Sequence, residues 1–420
     1  MTIKRILSNE LIKGSIILSI MFNIFNFLNF LFQFFMARLL GPADYSVLAV
    51  LMAFLYFVAI PSESIQTLMT KYSAKFNSQR KIGEINYLLK RVFSKGLLIA
   101  LGVFIISIPF TYAFSYFLGI NFLVFLLTSL MIFSIPLLPA SRGVMQGIKK
   151  FNTLGFNMVS EATIKLAISI GLVFIGFGVY GAMIGVILGT ISAFALSLIP
   201  LKRIINSKKE AVNTSKIYSY SMPILFSLLA VFLVQSIDVI LAKRFFDPVI
   251  AGQYAVVNLA GKIIFFATVA ISKTMLPLSS ENFENNNEYN TKKIFYRALI
   301  MVVGICLIIS AIYALFPSKI IQLLFGSQYI DASHILLNMS LAFTFISLAN
   351  IILIYGISIN KSVKLSFLII FVVIEIGLLW GFHQNIYMYS LAMIASSLLL
   401  LIGSLFVLLR KNSNFTISQY

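Results

Sequence analysis

The hydrophobic pattern of the chain is a series of long apolar runs separated by short polar connections. About twelve runs of roughly 17 to 25 residues are each long enough for a helix to cross the hydrocarbon core of a bilayer. Nothing in the runs alternates with the ten-residue pattern of barrel strands, so helices must satisfy their backbone groups in lipid. The sequence therefore predicts an all-α polytopic membrane protein with spans at 14–36, 46–68, 93–117, 122–141, 154–176, 180–201, 219–242, 252–277, 295–317, 333–357, 363–381 and 387–409.

Composition supports this class and excludes others. Of 420 residues, 60% are hydrophobic and 11% are charged, and the mean hydropathy is +0.99, which is far too apolar for a soluble domain. The formal net charge is +19. Binding to nucleic acid would need these cations on one solvated surface, whereas they lie in short loops between the apolar runs. No nucleic-acid partner is expected.

The distribution of Lys and Arg predicts the orientation of the chain. With the N-terminus in the cytoplasm, 25 of the 32 Lys and Arg residues fall in cytoplasmic segments and about 4 in outer loops. Cytoplasmic loops of membrane proteins carry an excess of Lys and Arg. Both termini are therefore expected inside, in a multi-pass protein of the cell membrane.

The first span carries a polar stripe that lipid would not tolerate. Asn23, Asn26, Asn29 and Gln33 fall within an arc of about 120° on a helix. These amides must face other helices or water, so they can hold adjacent helices together or line a hydrated cavity.

A related hairpin returns about 205 to 210 residues later in the chain. The second copy begins six spans after the first. Because six is an even number, both halves enter the membrane in the same sense, as in parallel transporter repeats related by an axis along the membrane normal. This predicts two six-helix lobes, residues 1–205 and 206–420, with the basic segment 202–216 as the linker. Chance similarity of two membrane hairpins is the alternative. The matching residues are Gln33, Arg38, Pro42 and Tyr45 in the first copy and Gln235, Lys243, Pro248 and Tyr254 in the second.

Neither an enzyme nor a cofactor protein is expected from the remaining features. The longest outer loop, 318–332, is too short to hold a catalytic domain, and His334 and His383 lack metal-ligand spacing. Residues 176–181 match G-x-G-x-x-G, but no strand precedes them, so they predict a tight turn. Gly181, Gly185 and Gly189 then form a small-residue stripe for close helix packing. We expect no cofactor and no metal.

Several segments resemble the Wzx-type oligosaccharide-lipid flippases of the MATE/MurJ (MOP) exporter superfamily. The segment Ala37–Tyr45, ARLLGPADY, is similar to the A-R-x-L-G-P-x-x-Y/F hairpin of that family, and residues 142–151, 238–254 and 323–329 are similar to three further family segments in the right order. Asp247 precedes Pro248 where the first copy has Gly before Pro, which is a small departure. The resemblance implies lobes arranged as a V around a central cavity. It also implies alternating access that moves a polyprenyl-diphosphate-linked oligosaccharide.

Lys262 is the most conspicuous candidate for holding the diphosphate, because it lies about eleven residues into the eighth span. A lysine at this depth must face a partner or water, and an acid on another helix is the alternative partner. Glu161 and Lys165 are spaced i, i+4 and can neutralise each other as a structural ion pair. The further candidates for substrate binding are Arg38, Lys243 and Lys165 among the cations and Asn26, Gln33 and Gln235 among the amides.

Acids inside the spans are candidates for binding a coupling H⁺ or Na⁺, and these are Asp238, Glu63 and Glu375. Glu375 has the alternative of pairing with a neighbouring helix. The predicted function is the flipping of lipid-linked oligosaccharide repeat units for surface polysaccharide, with membrane lipid and the polysaccharide polymerase machinery as partners. A MATE-type drug or metabolite antiporter is the alternative. We expect the charged residues inside the spans to be mainly basic, which favours an anionic lipid carrier as the substrate over organic amines.

Overall fold

The computed structural model describes residues 10–212, 236–359 and 365–409, and these residues form helices and turns without a strand. The chain divides into two compact units, Met1–Phe232 (the N unit) and Leu233–Tyr420 (the C unit). Because 213–235 lie outside the described residues, the predicted lobe boundary at 205/206 stays a prediction. Gln235 and most of the predicted span 219–242 also lie outside them.

The described helices of the N unit follow the predicted spans with two additions, a short 3₁₀ segment and a π-helical turn. Pro136 lies in the break between two short helices that together form the predicted fourth span. The elements are α1 (Glu10–Ser78), α2 (Ile82–Leu118), α3 (Phe122–Ser129), a 3₁₀ helix (Leu130–Ser134), α4 (Leu138–Gly147), α5 (Phe151–Leu172), a π-helical turn (Val173–Phe177) and α6 (Gly178–Ile205).

The described helices of the C unit begin in the seventh predicted span. The elements are α7 (Ile237–Phe245), α8 (Pro248–Glu284), α9 (Glu288–Leu315), α10 (Pro317–Phe325), a 3₁₀ helix (Ser327–Ile335), α11 (Leu336–Ser358), α12 (Leu365–Gly381) and α13 (Ile386–Leu409).

Eight helical stretches among the described residues are long and apolar enough to cross a membrane. Two of them, Ile17–Ser78 and Phe151–Ile205, each contain two predicted spans, and the apolar helix Ile369–Gly381 is a shorter ninth candidate. The predicted all-α membrane fold is confirmed. The described helices are consistent with the twelve-helix, two-lobe layout without establishing it.

Gly41 makes the predicted hairpin at the first polar stripe. Its backbone has φ of 76° and ψ of 170°, so α1 consists of two helical arms, 10–40 and 42–78, that meet at this residue. A positive φ is accessible to glycine at little cost because glycine lacks a Cβ. Pro42 follows as the first residue of the second arm, where the absent N–H costs nothing.

The second tight turn joins α5 to α6 through Gly176 and Gly178, both with positive φ. The predicted close packing after it is confirmed. A Cβ on Gly185 would lie 2.0 Å from Ser169 Oγ, and a Cβ on Gly189 would lie 2.8 Å from Lys165 Cβ. Across this contact Ser169 Oγ donates to the carbonyl of Ala182 at 3.0 Å. The G-x-G-x-x-G segment is thus a turn between packed helices.

The predicted outer loop 318–332 contains helical structure of its own. Pro317–Phe325 is a helix and Ser327–Ile335 is a 3₁₀ helix, and Ile321, Phe325 and Tyr329 are fully buried. Pro317 occupies the first turn of α10, a position that suits proline. Burial of these apolar side chains stabilises a helix too short to be recognised as a span.

The predicted linker 202–216 is partly folded at its start. Its first residues complete α6, which ends at Ile205, and the next residues lie along the start of α2. Asn86 Nδ2 donates to the carbonyl of Ser207 at 2.5 Å, and Lys90 Nζ donates to the carbonyl of Ile205 at 2.8 Å. Beside this contact, the hydrogen bond and charge of Glu84 raise the pKa of Lys81. The described part of the segment is therefore attached to the N unit.

Candidate functional site

Asp238, in the first turn of α7, is the centre of a buried polar cluster in the C unit. Its side chain is completely buried. Tyr254 Oη donates to Asp238 Oδ2 at 2.8 Å, and Asn258 Nδ2 donates to the same oxygen at 2.5 Å. The other oxygen, Oδ1, is buried and has no hydrogen-bond partner among the described residues. One oxygen of the carboxyl group is therefore held by two hydrogen bonds, and the other has no described partner.

A polar stripe on α8 faces this carboxyl group. Tyr254, Asn258 and Lys262 are spaced four residues apart, which places them on one face of the helix. Lys262 is partly exposed, and no described carboxylate lies within 4 Å of its ammonium group. Its electrostatic partner is Asp238. The alternative of a direct ion pair for Lys262 is thus not found in the described residues.

Tyr389 of α13 attaches a third helix to the cluster. Its hydroxyl donates to the backbone carbonyl of Asp238 at 2.6 Å, and its ring lies edge-on to the ring of Tyr254 with centroids 5.1 Å apart. Tyr389 and Asn258 are not among the residues predicted from the sequence, and Tyr254 is predicted only as a matching residue of the second hairpin. The only available signal was the polar spacing of Tyr254, Asn258 and Lys262 within an apolar span.

Glu375 of α12 is the second buried acid of the C unit. It is 3% exposed, and its Oε1 has no hydrogen-bond partner in the described part of the chain. It forms no ion pair with a described residue, although its charge interacts with that of Asp238. A small pocket beside it is lined by Ile346, Phe371, Met393, Ser396, Ser397 and Leu400.

Glu161 and Lys165 of the N unit do not form the direct ion pair that their spacing predicts, although the charge of Glu161 acts on Lys165. Glu161 Oε2 instead accepts from an Arg142 guanidinium nitrogen at 2.6 Å, and Glu161 Oε1 accepts from Thr190 Oγ1 at 3.2 Å. Arg142 Nε also donates to Asn157 Oδ1 at 2.9 Å. The guanidinium group of Arg142 donates to Glu161 and Asn157 at once. The ammonium group of Lys165, one turn along α5, lacks this fixed fork geometry.

Lys165 is held by the first arm of α1. Its ammonium group donates to Asn29 Oδ1 and lies 4.7 Å from the centroid of the Phe32 ring. A cation above an aromatic face is attracted by the ring quadrupole. Lys165 therefore joins α5 to α1 in this structure.

The amides of the first arm are divided between two environments. Asn29 and Gln33 are bound inside the N unit, the first by Lys165 and the second by Tyr45, whose hydroxyl donates to Gln33 Oε1 at 3.3 Å. Asn23 and Asn26 are exposed. Part of the stripe thus holds helices together, and part of it remains open.

The predicted cations at the hairpin turns also differ in environment. Arg38 is exposed with its guanidinium carbon 4.5 Å from the centroid of the Phe34 ring, whereas Lys243 is only 7% exposed. Glu63, on the second arm of α1, is exposed and forms no ion pair with a described residue. Within the C unit, Asp238 interacts electrostatically with both Lys262 and Glu375, whereas Glu63 belongs to the N unit.

The expected basic excess inside the spans is wrong for both units. Beyond the first three residues of each span, the predicted spans of the N unit contain Lys165 against Glu63 and Glu161, and those of the C unit contain Lys262 and Lys273 against Asp238 and Glu375. No described group of three or more His, Cys, Asp or Glu side chains is arranged to hold a metal ion.

Comparison with known proteins identifies one family for the chain and one superfamily fold. A family model described as polysaccharide biosynthesis protein matches residues 35–334. No curated protein matches the chain. The fold is similar to an inward-facing multidrug resistance MATE family transporter of the MOP superfamily, with a TM-score of 0.77, 12% identity, and coverage of 90% of this chain and 93% of that one.

Two further structures give the same fold. One is MATE in complex with MaL6, with a TM-score of 0.60, 15% identity, and coverage of 94% of this chain and 95% of that one. The other is a MOP superfamily transporter from Pyrococcus furiosus, described as having a binding pocket of reverse polarity, with a TM-score of 0.60, 14% identity, and coverage of 95% and 94%. These likenesses confirm the superfamily fold that the sequence motifs resemble. The chain belongs to the polysaccharide biosynthesis protein family and has the fold of the MOP exporter superfamily.

Proposed function

We propose that this protein flips polyprenyl-diphosphate-linked oligosaccharide repeat units from the inner to the outer leaflet of the membrane by alternating access. Membership of a polysaccharide biosynthesis family on a transporter fold supports the reaction class. The observation that carries the substrate class is Lys262, a cation within a membrane helix that has no direct acidic partner among the described residues.

Lys262 is the proposed ligand of the diphosphate. A lysine at the centre of a membrane helix costs about 2.5–3.5 kcal/mol on insertion scales. One charge pair at about 4 Å with an effective dielectric of about 20 contributes about 4 kcal/mol, which offsets that cost when the substrate is bound. Lys165 is the proposed counterpart in the N unit, where an anion would compete with Asn29 for its ammonium group.

The remaining candidates serve the sugar and the entry of the substrate. The exposed amide of Asn26 suits hydrogen bonds to sugar hydroxyls, and we propose the same role for Gln33 and Gln235. Gln33 would then exchange its bond from Tyr45 for a sugar hydroxyl. Arg38 and Lys243, at the ends of their helices, are proposed to guide the anionic headgroup.

Transport is proposed to be coupled to H⁺ or Na⁺ at the two buried acids of the C unit. Asp238 and Glu375 each present a buried oxygen without a described partner, where a cation would replace the missing interaction. Glu63 is the weaker candidate because it is exposed. The protein is proposed to lie in the bacterial cytoplasmic membrane with both termini inside, where the polysaccharide polymerase machinery would meet its product.

The test is deletion of the gene followed by complementation. We expect deletion to accumulate lipid-linked glycan on the cytoplasmic face and the wild-type gene to restore export. Lys262→Ala should abolish export at wild-type abundance, and Lys262→Arg should retain it because the charge is kept. Lys273→Ala is the matched control, because Lys273 is an exposed lysine of the same helix.

Two outcomes would contradict the proposal. Normal export by Lys262→Ala at wild-type abundance would remove Lys262 from the mechanism. Unchanged surface glycan in the deletion strain, together with sensitivity to cationic dyes, would instead identify a MATE-type antiporter, the function of the multidrug transporter whose fold is similar.

A further inference from the structure

Asp238 and Lys262, the proposed ligand of the diphosphate, belong to one row of polar side chains. The charge of Asp238 should therefore affect how tightly the diphosphate binds. Tyr254 and Asn258 both donate to Asp238, and Lys262 follows Asn258 by one turn on the same face of α8. Lys262 therefore lies on the same face of α8 as the two side chains that hold the carboxyl group, and Asp238 is its electrostatic partner. The Lys262 ammonium group lies more than 4 Å from any described carboxylate, so Asp238 attracts it without forming a direct ion pair.

We propose that Asp238 is an internal competitor of the anionic substrate, because its carboxylate and the diphosphate draw on the same Lys262 ammonium group. The inference rests on the proposed function and adds a regulation of that site. While Asp238 carries its charge, part of the attraction of Lys262 is directed to α7. Neutralising Asp238 releases the lysine, so the diphosphate binds more tightly.

The geometry gives Asp238 the properties that such a competitor needs. Its position is set by three bonds from two helices: Tyr254 and Asn258 of α8 hold Oδ2, and Tyr389 of α13 holds its backbone carbonyl. It therefore cannot move away when the substrate arrives. The flexible partner is Lys262, whose long side chain can turn between two anions.

The other charged groups around Asp238 do not replace it in this role. Glu375, on α12, interacts with Asp238 and lies beside its own pocket, whereas the electrostatic partner of Lys262 is Asp238. Tyr254 and Tyr389 are hydrogen-bond donors within the cluster. The competition is therefore specific to one carboxylate and one ammonium group, and by reciprocity the substrate weakens the hold of Asp238 on Lys262 equally.

The test measures binding of inorganic pyrophosphate to the purified full-length protein in detergent, by equilibrium dialysis with labelled pyrophosphate. Asp238→Asn removes the charge and keeps the shape and an acceptor for Tyr254 and Asn258. We expect it to bind pyrophosphate about tenfold more tightly than wild type, which corresponds to about 1.4 kcal/mol. Asp331→Asn is the matched control, an exposed acid of the same unit, and should leave the affinity unchanged.

A double-mutant cycle with Lys262→Gln identifies the route of the effect. If Asp238 acts through Lys262, then Asp238→Asn should gain nothing when Lys262 is already Gln. Asp238→Ser provides a second neutral variant in case the Asn variant does not fold, and size-exclusion profiles establish which variants are native.

Each outcome has a distinct meaning. Unchanged or weaker binding by the folded neutral variants overturns the competition, and so does a gain of equal size in the Lys262→Gln background. Equal binding by wild type and Lys262→Gln overturns the proposed role of Lys262 in holding the diphosphate. That result would contradict the proposed function, in which Lys262 holds the diphosphate, and not only the proposed competition with Asp238.

Discussion

The two hairpins of the chain make the same hydrogen bond with different chemistry. In the N unit the hydroxyl of Tyr45 donates to the neutral amide of Gln33, and in the C unit the hydroxyl of Tyr254 donates to the carboxyl group of Asp238. Asp238 precedes Lys243 by five residues, as Gln33 precedes Arg38 by five. A buried tyrosine thus donates a hydrogen bond across each hairpin, but only in the second hairpin is the acceptor a carboxyl group.

The wider surroundings repeat this contrast. In the N unit the partly buried acid Glu161 is paired with Arg142 and receives a further bond from Thr190. In the C unit the buried acids Asp238 and Glu375 each retain an oxygen without a described partner. The N unit therefore uses the charge of Glu161 for internal cohesion, whereas the C unit keeps two buried carboxyl oxygens without a described partner.

The largest expected effect comes from breaking the N unit's ion pair. Removing one partner of a largely buried pair leaves the other charge uncompensated. Because the Glu161 side chain is 17% exposed, we expect Arg142→Gln to lower the free energy of unfolding by about 3 kcal/mol, the lower end of the range for buried pairs. Glu375→Gln removes a charge that has no such partner and should not destabilise the protein. Reversible unfolding in mixed micelles measures both values.

The control for Arg142→Gln is Lys292→Gln, which breaks the exposed pair between Lys292 and Glu288. Exposed pairs contribute little, so stability should not change measurably. A loss as large for Glu375→Gln as for Arg142→Gln would mean that Glu375 is satisfied in the native protein, and the contrast between the units would be wrong.

The second effect separates the two tyrosines. Hydrogen bonds to charged groups contribute about 1.5–3 kcal/mol and neutral ones about 0.5–1.5 kcal/mol, so Tyr254→Phe should destabilise more than Tyr45→Phe. Both rings are buried, so the loss of the hydroxyl is the only change in each case. Equal losses in the same unfolding assay would indicate that Asp238 is neutral when Tyr254 donates to it.

The third effect compares two helix-interior glycines. A Cβ on Gly185 would overlap Ser169, including its backbone nitrogen at 2.7 Å, whereas a Cβ on Gly304 would meet nothing within 4 Å. Overpacking costs about 1–3 kcal/mol, so Gly185→Ala should lower the melting temperature. Gly304→Ala should leave it unchanged or raise it slightly, because alanine favours helix. A tolerated Gly185→Ala would mean that α5 and α6 separate easily.

The charged residues of the site could be predicted from the sequence, but most of the contacts between them could not. Asp238, Glu375 and Lys262 were identified because ionisable residues are rare and costly in a membrane span. Their grouping was not predicted, since α8 and α12 are separated by three helices in the chain. The pairing of Glu161 was mispredicted because i, i+4 spacing shows which side chains are neighbours on one helix and not which distant side chain offers better geometry.

The sequence by itself determined the helical membrane architecture, the turns at Gly41 and Gly176, and the close packing after Gly181. These features follow from local properties: apolar length, the conformational freedom of glycine and the spacing of small residues. Tertiary structure alone decided that Arg142 pairs with Glu161, that Lys165 binds Asn29, and that Tyr254, Asn258 and Tyr389 converge on Asp238. The reason is physical: an unpaired polar group is costly inside a membrane, and only the packing of distant helices decides which partner is within reach.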